Sequence, residues 1–179
     1  MNNFPQLSTS RLVLSQPLVA DKENIVLQMN STSEIAENTL TIPFPYAEEN
    51  AKTWLKMAEE GFARKDTFVF AIREKENLKL IGGIGLHLDL SNNKAEVGYW
   101  LGKSFWNLGY VSEALKEILK FGFTELKLNK IYASHFLHNP ASGKVLLKNG
   151  FQQEGISKQE ILKNGVYLDL VRYAIFFIP

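Results

Sequence analysis

AEVGYWLGKSFWNLGYVSEALKEILKFGFTEL, residues 95–126, is the stretch that decides the fold of this chain. Its first part alternates in the manner of a strand, and from Val111 onward apolar residues recur every three or four positions, as on one helix face. Between the two lies Gly109, where the missing side chain permits a sharp bend and a close approach to the main chain. The unpaired N–H groups at a helix start carry partial positive charge, so this strand, turn and helix are suited to bind phosphate.

The length and composition indicate one globular domain over residues 1–179. Its 20 basic and 19 acidic residues leave a net charge of +1, which gives no overall attraction to nucleic acid or to an anionic membrane. Cysteine is absent, which excludes a thiolate metal site and a cysteine acyl-enzyme. The start of the chain lacks a signal peptide's apolar core and no segment has spanning length, so we expect a cytoplasmic location.

Apolar periodicity and turn residues predict the order β-α-α-β-β-β-α-β-α-β-β. The predicted strands cover residues 11–14, 67–73, 78–90, 94–101, 130–136, 151–162 and 166–178, and the helices cover 20–29, 47–64, 111 onward and 140–148. Gly82-Gly83-Ile84-Gly85 lies inside a predicted strand with no helix after it, so close packing explains it better than a nucleotide fingerprint. The sequence therefore predicts a single α+β domain.

The motif that runs from Trp106 to Leu115, W-x-x-G-Y-x-S-E-A-L, resembles the acyl-CoA-binding turn of GNAT N-acetyltransferases, (Q/R)-x-x-G-x-(G/A). It is most similar to the branch that contains the bacterial ribosomal-protein N-terminal acetyltransferases. Gly109 falls on the central glycine, while Trp106 replaces Gln or Arg and Val111 replaces the final Gly or Ala, which narrows the turn. The resemblance implies acetyl-CoA as co-substrate, bound by Trp106, Asn107, Leu108, Gly109, Tyr110, Val111 and Ser112.

The likeness extends along essentially the whole chain. The order of elements matches the GNAT fold, a mixed and mostly antiparallel sheet flanked by helices. The RLxL sequence at Arg11 and the proline-aromatic loop before the Trp54 helix are also similar to the family, in which this region forms much of the acceptor wall. Ser15 stands where many relatives have a second arginine.

Glu96 is the candidate general base. Acetyl transfer to an amine requires the neutral amine, whereas an alkylamine at pH 7 is mostly protonated, so a group must accept a proton. Glu96 alternates with Gly98 and Trp100 on the strand that leads into the turn, and several GNAT enzymes use a glutamate on the corresponding strand, directly or through water. The alternative is that Glu96 pairs with a basic neighbour on an exposed face.

The remaining site residues follow from the resemblance. The sequence His138-Asn139-Pro140-Ala141-Ser142 resembles the family's N-x-x-S element beside the pantetheine arm, which implies that Ser142 lies nearest the leaving sulfur and that Asn139 contacts the arm. Asn139 is equally suited to cap a helix. A main-chain N–H near Trp100 and Leu101, where the family separates two strands, is the expected donor to the oxyanion.

Other polar residues have simpler explanations. Glu113 lies in a first helical turn, where an acid favours the positive helix end, so we interpret it as structural. His135 and His138 lack a second cluster of ligands, and we predict no metal site. Tyr167 and Asp169 resemble a frequent family pattern, although an alternating strand explains them equally well.

The acceptor is not encoded in these motifs. We expect a protein N-terminus or a small-molecule amine, and a monomer or homodimer. Two alternatives to an enzyme remain, namely a non-catalytic acyl-CoA-binding module, and an α+β scaffold for another phosphate ligand or a protein partner.

Overall fold

The computed structural model describes residues 4–177, and this part of the chain contains eight strands and five α-helices. The strands are β1 (Leu7–Ser8), β2 (Leu12–Ser15), β3 (Thr67–Glu74), β4 (Leu80–Asp89), β5 (Lys94–Leu101), β6 (Lys130–Phe136), β7 (Gln152–Lys163) and β8 (Val166–Phe176). The helices are α1 (Lys22–Met29), α2 (Glu34–Glu37), α3 (Glu48–Arg64), α4 (Tyr110–Thr124) and α5 (Pro140–Lys148).

The strands form one sheet in the order β1-β2-β3-β4-β5-β6-β8-β7. Every neighbouring pair is antiparallel except β5 and β6, which run parallel because α4 connects them. The predicted mixed, mostly antiparallel α+β fold is thus confirmed.

Helices cover both faces of the sheet. On one face α4 and α5 bury Ile118 and Leu146 in the main apolar core. On the other face α1 and α3 form a second core near Trp100. Since side chains alternate along a strand, β5 directs Val97 to the α4 layer and Trp100 to the α3 layer. Residues of β5 that are adjacent in sequence therefore face two different compartments.

All the predicted elements are present, and two short ones were missed. The two residues of β1 pair with β2, and the four residues of α2 form a single turn, so neither segment is long enough to show a period. Most boundaries differ from the prediction by one or two residues. The last strand was predicted to end at residue 178, which lies outside the described residues. The predicted domain bounds, residues 1 and 179, lie outside them as well.

The predicted helix at residues 20–29 begins as a 3-10 turn, Val19–Asp21, before α1. Asp21 is buried there and accepts hydrogen bonds from Nη1 and Nη2 of Arg73, at 2.7 and 2.6 Å. The Ser15 hydroxyl accepts a bond from Arg73 Nε at 2.9 Å. An arginine of β3 thus joins β2 to the start of α1.

The glycines of β4 serve close packing, as predicted. A Cβ on Gly82 would lie 2.4 Å from the carbonyl oxygen of Trp100, and one on Gly83 would lie 2.6 Å from Trp100 Nε1. No real Cβ approaches other atoms this closely, so β4 and β5 meet only because these positions lack side chains.

Within residues 4–177, no helix is both long enough and apolar enough to cross a membrane.

Candidate active site

The parallel strands β5 and β6 separate halfway along their length. Their pairing ends at Glu96 and Tyr132, although β5 continues to Leu101 and β6 to Phe136. A cavity of about 710 Å³ opens in the gap and extends to both sides of the sheet. This separation is the one that the sequence analysis expected near Trp100 and Leu101.

The cavity collects residues from β5, from the turn before α4, and from the starts of α4 and α5. It is lined by Glu96, Trp100, Leu101, Trp106, Asn107, Gly109, Tyr110, Val111, Ser112, Asn139 and Ser142, which are all the predicted site residues except one. The exception, Leu108, lines an adjoining cavity of about 670 Å³ together with Arg11, Lys116 and Lys148.

The turn before α4 has the conformation that its glycine suggested. Gly109 has a φ of +81°, and Asn107 also lies in the left-handed region with a φ of +61°. A Cβ on Gly109 would meet only Arg11 Nη2, at 3.6 Å, so the backbone conformation rather than crowding requires glycine here. The first N–H groups of α4 therefore lie next to Gly109, where no side chain covers the main chain.

Arg11, at the edge of β2, holds this turn in place. Its Nη1 donates to the carbonyl of Leu108 at 3.0 Å, and its Nε donates to Glu113 at 2.7 Å. Its guanidinium carbon also lies 4.4 Å from the centre of the Tyr110 ring. Sequence reasoning missed this role, for which the RLxL motif was the only signal.

The Glu113 carboxylate is engaged in hydrogen bonds and is not available as a base. Its carboxylate accepts bonds from Thr9 Oγ1, Ser10 Oγ, the Arg11 main chain and the Arg11 side chain. Burial by itself would raise the pKa of Glu113, but these bonds, the Thr9 hydroxyl foremost, outweigh it and lower the pKa to about 2. The structural interpretation of Glu113 is confirmed.

Trp106 and Ser112 make contacts within the protein. The Trp106 indole Nε1 donates to the carbonyl of Leu101 at 2.7 Å, which ties the turn to the end of β5. The Ser112 hydroxyl accepts a bond from Asn149 Nδ2 at 2.9 Å, which joins α4 to the end of α5. Trp106, the first residue of the motif, thus fixes the turn to the end of β5.

The start of α5 faces β5 across the cavity. Asn139 caps the helix by accepting a bond from the Ser142 N–H at 3.4 Å, so the capping interpretation is confirmed for this residue. The Ser142 hydroxyl lies 2.7 Å from the hydroxyl of Tyr99. Ser142 is therefore held by a partner that sequence reasoning did not identify.

Tyr99 points to the α4 and α5 side of the sheet and lines the same cavity. Burial raises the pKa of Tyr99 to about 12, although the bond with Ser142 lowers it slightly. The phenol is thus protonated at neutral pH and available as a hydrogen-bond donor. Alternation along β5 places Tyr99 on the face opposite Glu96, but it does not identify Ser142 as the partner of Tyr99.

Glu96 lies on the α3 side of the sheet, at the point where β5 and β6 part. It is directly opposite His87 of β4 and Tyr132 of β6. No hydrogen bond or ion pair of its carboxylate occurs among residues 4–177, so the alternative of a salt-bridged surface residue is not observed. Glu96 and the pair formed by Ser142 and Tyr99 therefore approach the gap from opposite faces.

Lys163 connects the last hairpin to the α2 segment. Lys163, next to the hairpin turn between β7 and β8, donates to the main-chain carbonyls of Ala36, Glu37 and Thr39 around the end of α2. Partial burial lowers the pKa of Lys163. The hairpin and the α2 segment are thus joined across the cavity rim.

His135, His138 and the last hairpin make contacts within the protein. His135 is buried and stacks on Tyr173 at 5.4 Å, and His138 stacks on Phe136. Residues 4–177 contain no cluster of three side chains suited to hold a metal ion. Asp169 accepts bonds from Lys158 and from the Gln159 main chain, which agrees with the strand interpretation.

Comparison with known proteins identifies this arrangement. The sequence matches the acetyltransferase (GNAT) domain over residues 11–152. It is 33% identical over 178 residues to the uncharacterized N-acetyltransferase YoaA of Bacillus subtilis, covering 96% of this chain and 97% of that one. It is 32% identical over 117 residues to the ribosomal-protein-serine acetyltransferase of Escherichia coli, covering 65% and 62% of the two chains.

The fold agrees with these matches. The structure of RimL, a ribosomal L7/L12 alpha-N-protein acetyltransferase in complex with coenzyme A, superposes with a TM-score of 0.87 at 20% identity, covering 96% of this chain and 98% of that one. The family match over residues 11–152 and the 33% identity to an N-acetyltransferase together define the acyltransferase class. The chain belongs to the GNAT family, and it is an N-acetyltransferase that uses acetyl-CoA.

Proposed function

We propose that the chain moves the acetyl group of acetyl-CoA directly to a primary amine in a ternary complex, with Glu96 as the base and Ser142 beside the leaving sulfur. The observation that carries this proposal is the separation of β5 and β6 at Glu96 and Tyr132, which opens one cavity to the glycine turn, to Ser142 and to Glu96. Donor and acceptor can then meet in the gap from opposite faces of the sheet.

The residues present fit acetyl-CoA. A pyrophosphate can lie between Asn107 and Val111. The first N–H groups of α4 would donate to it, and Gly109 has no side chain to block its approach. Lys116 and Lys148 line the adjoining cavity and supply positive charge for further phosphate oxygens. From the turn, the main cavity leads past Asn139 and Ser142 to the gap, a path suited to the pantetheine arm.

Glu96 performs the first proton transfer. The acceptor ammonium must lose one proton before its nitrogen attacks the thioester carbon, and the proton passes to the carboxylate directly or through water. A main-chain N–H near Trp100 and Leu101 donates to the oxyanion while the carbon is tetrahedral. Glu96 is free for this task because its carboxylate has no partner in the described part of the chain.

Ser142 performs the second transfer. As the carbon–sulfur bond breaks, the electron pair remains on sulfur, and the thiolate takes a proton from the Ser142 hydroxyl. Tyr99, 2.7 Å away and protonated at neutral pH, returns a proton to Ser142 and regains one from solvent. The attacking nitrogen gives up its second proton to solvent as the amide forms. The products are the acetylated amine and free CoA, with no covalent enzyme intermediate.

The acceptor, the assembly and the location are part of the same proposal. A relative is named a ribosomal-protein-serine acetyltransferase, which supports a protein as acceptor. We propose its N-terminal amine, and a small-molecule amine is the other candidate. We propose a cytoplasmic monomer or homodimer that needs no nucleic acid or membrane.

The replacement Glu96→Gln tests the assignment of the base. The amide keeps the shape but accepts no proton, so turnover at pH 7 should fall about a hundredfold or more. The loss should shrink as pH rises toward the pKa of the acceptor amine, because more amine is then already neutral. Acetyl-CoA affinity should be unchanged by calorimetry.

Glu59→Gln, an exposed change on α3, is the control and should leave the pH profile of turnover as it is. A loss for Glu96→Gln that is equal at every pH would instead assign Glu96 a structural role.

A further inference from the structure

On the proposed function, the acceptor reaches the gap from the part of the cavity that faces the α3 layer, where Glu96 lies. Glu96, Gly98 and Trp100 share this face of β5 because side chains alternate along a strand. Trp100 packs with Trp54 of α3, with ring centres 6.0 Å apart. The donor side, with Tyr99 and Ser142, lies on the opposite face. The chemistry of the acceptor is therefore set by the residues on the α3 side.

Only one unpaired carboxylate lies on this side among the described residues. The acidic residues that line the cavity are Glu34 and Glu96. Glu34 forms an ion pair with Lys103, whose hydrogen bond lowers the pKa of Glu34. Glu96 has no such partner within residues 4–177. One ammonium group can thus be matched at the reacting position, and a second one cannot.

The walls around that carboxylate are largely apolar. The apolar side chains that line the α3 side are Ile35, Ile42, Trp54, Met57, Trp100 and Phe136. A second ammonium placed against these walls loses part of its water and meets no unpaired carboxylate on the lining within residues 4–177, which is unfavourable. Apolar parts of an acceptor, in contrast, gain by leaving water.

The space beside Glu96 is created by a glycine. A Cβ built on Gly98 meets no atom within 4 Å, and the residue is exposed to the cavity. Its cross-strand neighbour Gly85 differs, because a Cβ there would lie 3.2 Å from the carbonyl oxygen of Phe68. Packing within the sheet therefore requires glycine at position 85. At Gly98 there is no such contact, and the residue leaves open space two positions from Glu96.

We propose that the acceptor is a primary amine with a single positive charge on an uncharged, mainly apolar body, and that this body passes over Gly98. The inference rests on the proposed function and extends it to the class of acceptor. Glu96 matches the one charge and receives its proton, and the aromatic wall contacts the body. Polyamines and aminoglycosides, which carry several charges, would leave all but one ammonium without an unpaired carboxylate on the cavity lining within residues 4–177, and are disfavoured as acceptors.

An acceptor panel with acetyl-CoA tests this proposal. The probes are a hexapeptide with an uncharged, apolar N-terminal segment, phenethylamine, spermidine and kanamycin, each followed by CoA release. The peptide or phenethylamine should have a kcat/KM at least about a hundredfold above the values for spermidine and kanamycin. The ratio of the kcat/KM values for the hexapeptide and for phenethylamine shows whether the preferred acceptor is a polypeptide N-terminus or a small amine.

The series Gly98→Ala and Gly98→Leu tests the path of the acceptor body. Added volume should raise the KM of the best acceptor stepwise, by about tenfold or more for leucine, because the side chain fills the open space. Acetyl-CoA affinity should stay constant, since Gly98 faces away from Tyr99 and Ser142. An unchanged KM in Gly98→Leu would overturn this path.

The two levels of proposal fail in different ways. Faster turnover of spermidine or kanamycin than of the singly charged probes would overturn the acceptor class and leave the transferase intact. Binding of acetyl-CoA without acetylation of any probe would overturn both.

Discussion

The contact between Glu113 and the segment Thr9–Arg11 leads to a quantitative prediction for Glu113→Gln. The pKa of Glu113 is lowered from its ordinary 4.5 to about 2 in the folded chain. This difference corresponds to at most about 3.4 kcal/mol of folding free energy. Arg11 is 46% exposed, so screening by solvent reduces the expected loss to about 1–2 kcal/mol at pH 7.

The same contact fixes the direction of the pH dependence. A carboxyl group with a lowered folded-state pKa stabilises fully above its ordinary value, and the contribution is lost as pH falls from 4.5 toward about 2. Wild type and Glu113→Gln should therefore differ in unfolding free energy at pH 7, and at pH 3 the difference should fall to less than half of that value. Urea unfolding at both pH values measures it.

Glu117→Gln is the matched control, because Glu117 lies on the same helix in a surface pair with Lys120 at 3.5 Å. Its effect should stay below about 0.5 kcal/mol at pH 7. A Glu113→Gln loss of equal size at pH 7 and pH 3 would refute the reasoning, since the ionised carboxylate would not then be the source of stability.

Two further predictions concern the donor side. Gly109→Val should raise the acetyl-CoA dissociation constant strongly, because valine resists a φ of +81° and covers the bare main chain; unchanged affinity by calorimetry would contradict the phosphate site. Ser142→Ala should lower turnover by up to about a hundredfold with nearly constant affinity, and Tyr99→Phe should reproduce part of that loss, because its hydroxyl supports the same serine. Loss of CoA affinity in proportion to rate would make Ser142 a binding contact, and no change in either would leave it a structural role.

Much of the architecture was predictable because its signals are local. The alternation in β5, the period of α4 and the glycine between them lie within one short stretch, and each follows from backbone geometry. The element order was correct for the same reason. β1 and α2 were missed because two or four residues cannot show a period, and their conformation depends on β2 and on the neighbouring loop.

The site was predictable only in part. The sequence located Glu96, Gly109 and Ser142 through motif and alternation, and all three line one cavity. It gave no indication that Tyr99 meets Ser142, since these residues are distant in sequence and belong to different elements. Arg11 was noticed as a motif residue, but its bonds to Leu108 and Glu113 were not foreseen.

The sequence by itself determined the elements, their order and the glycine turn, because these depend on interactions between residues close in the chain. Only the tertiary structure decided which carboxylates are free. Glu113 and Glu34 are occupied by Arg11 and Lys103, while Glu96 faces the gap between β5 and β6 without a partner in the described residues. The availability of a charged group depends on what the fold places within a few ångströms of it, and that proximity is set by long-range packing rather than by local sequence.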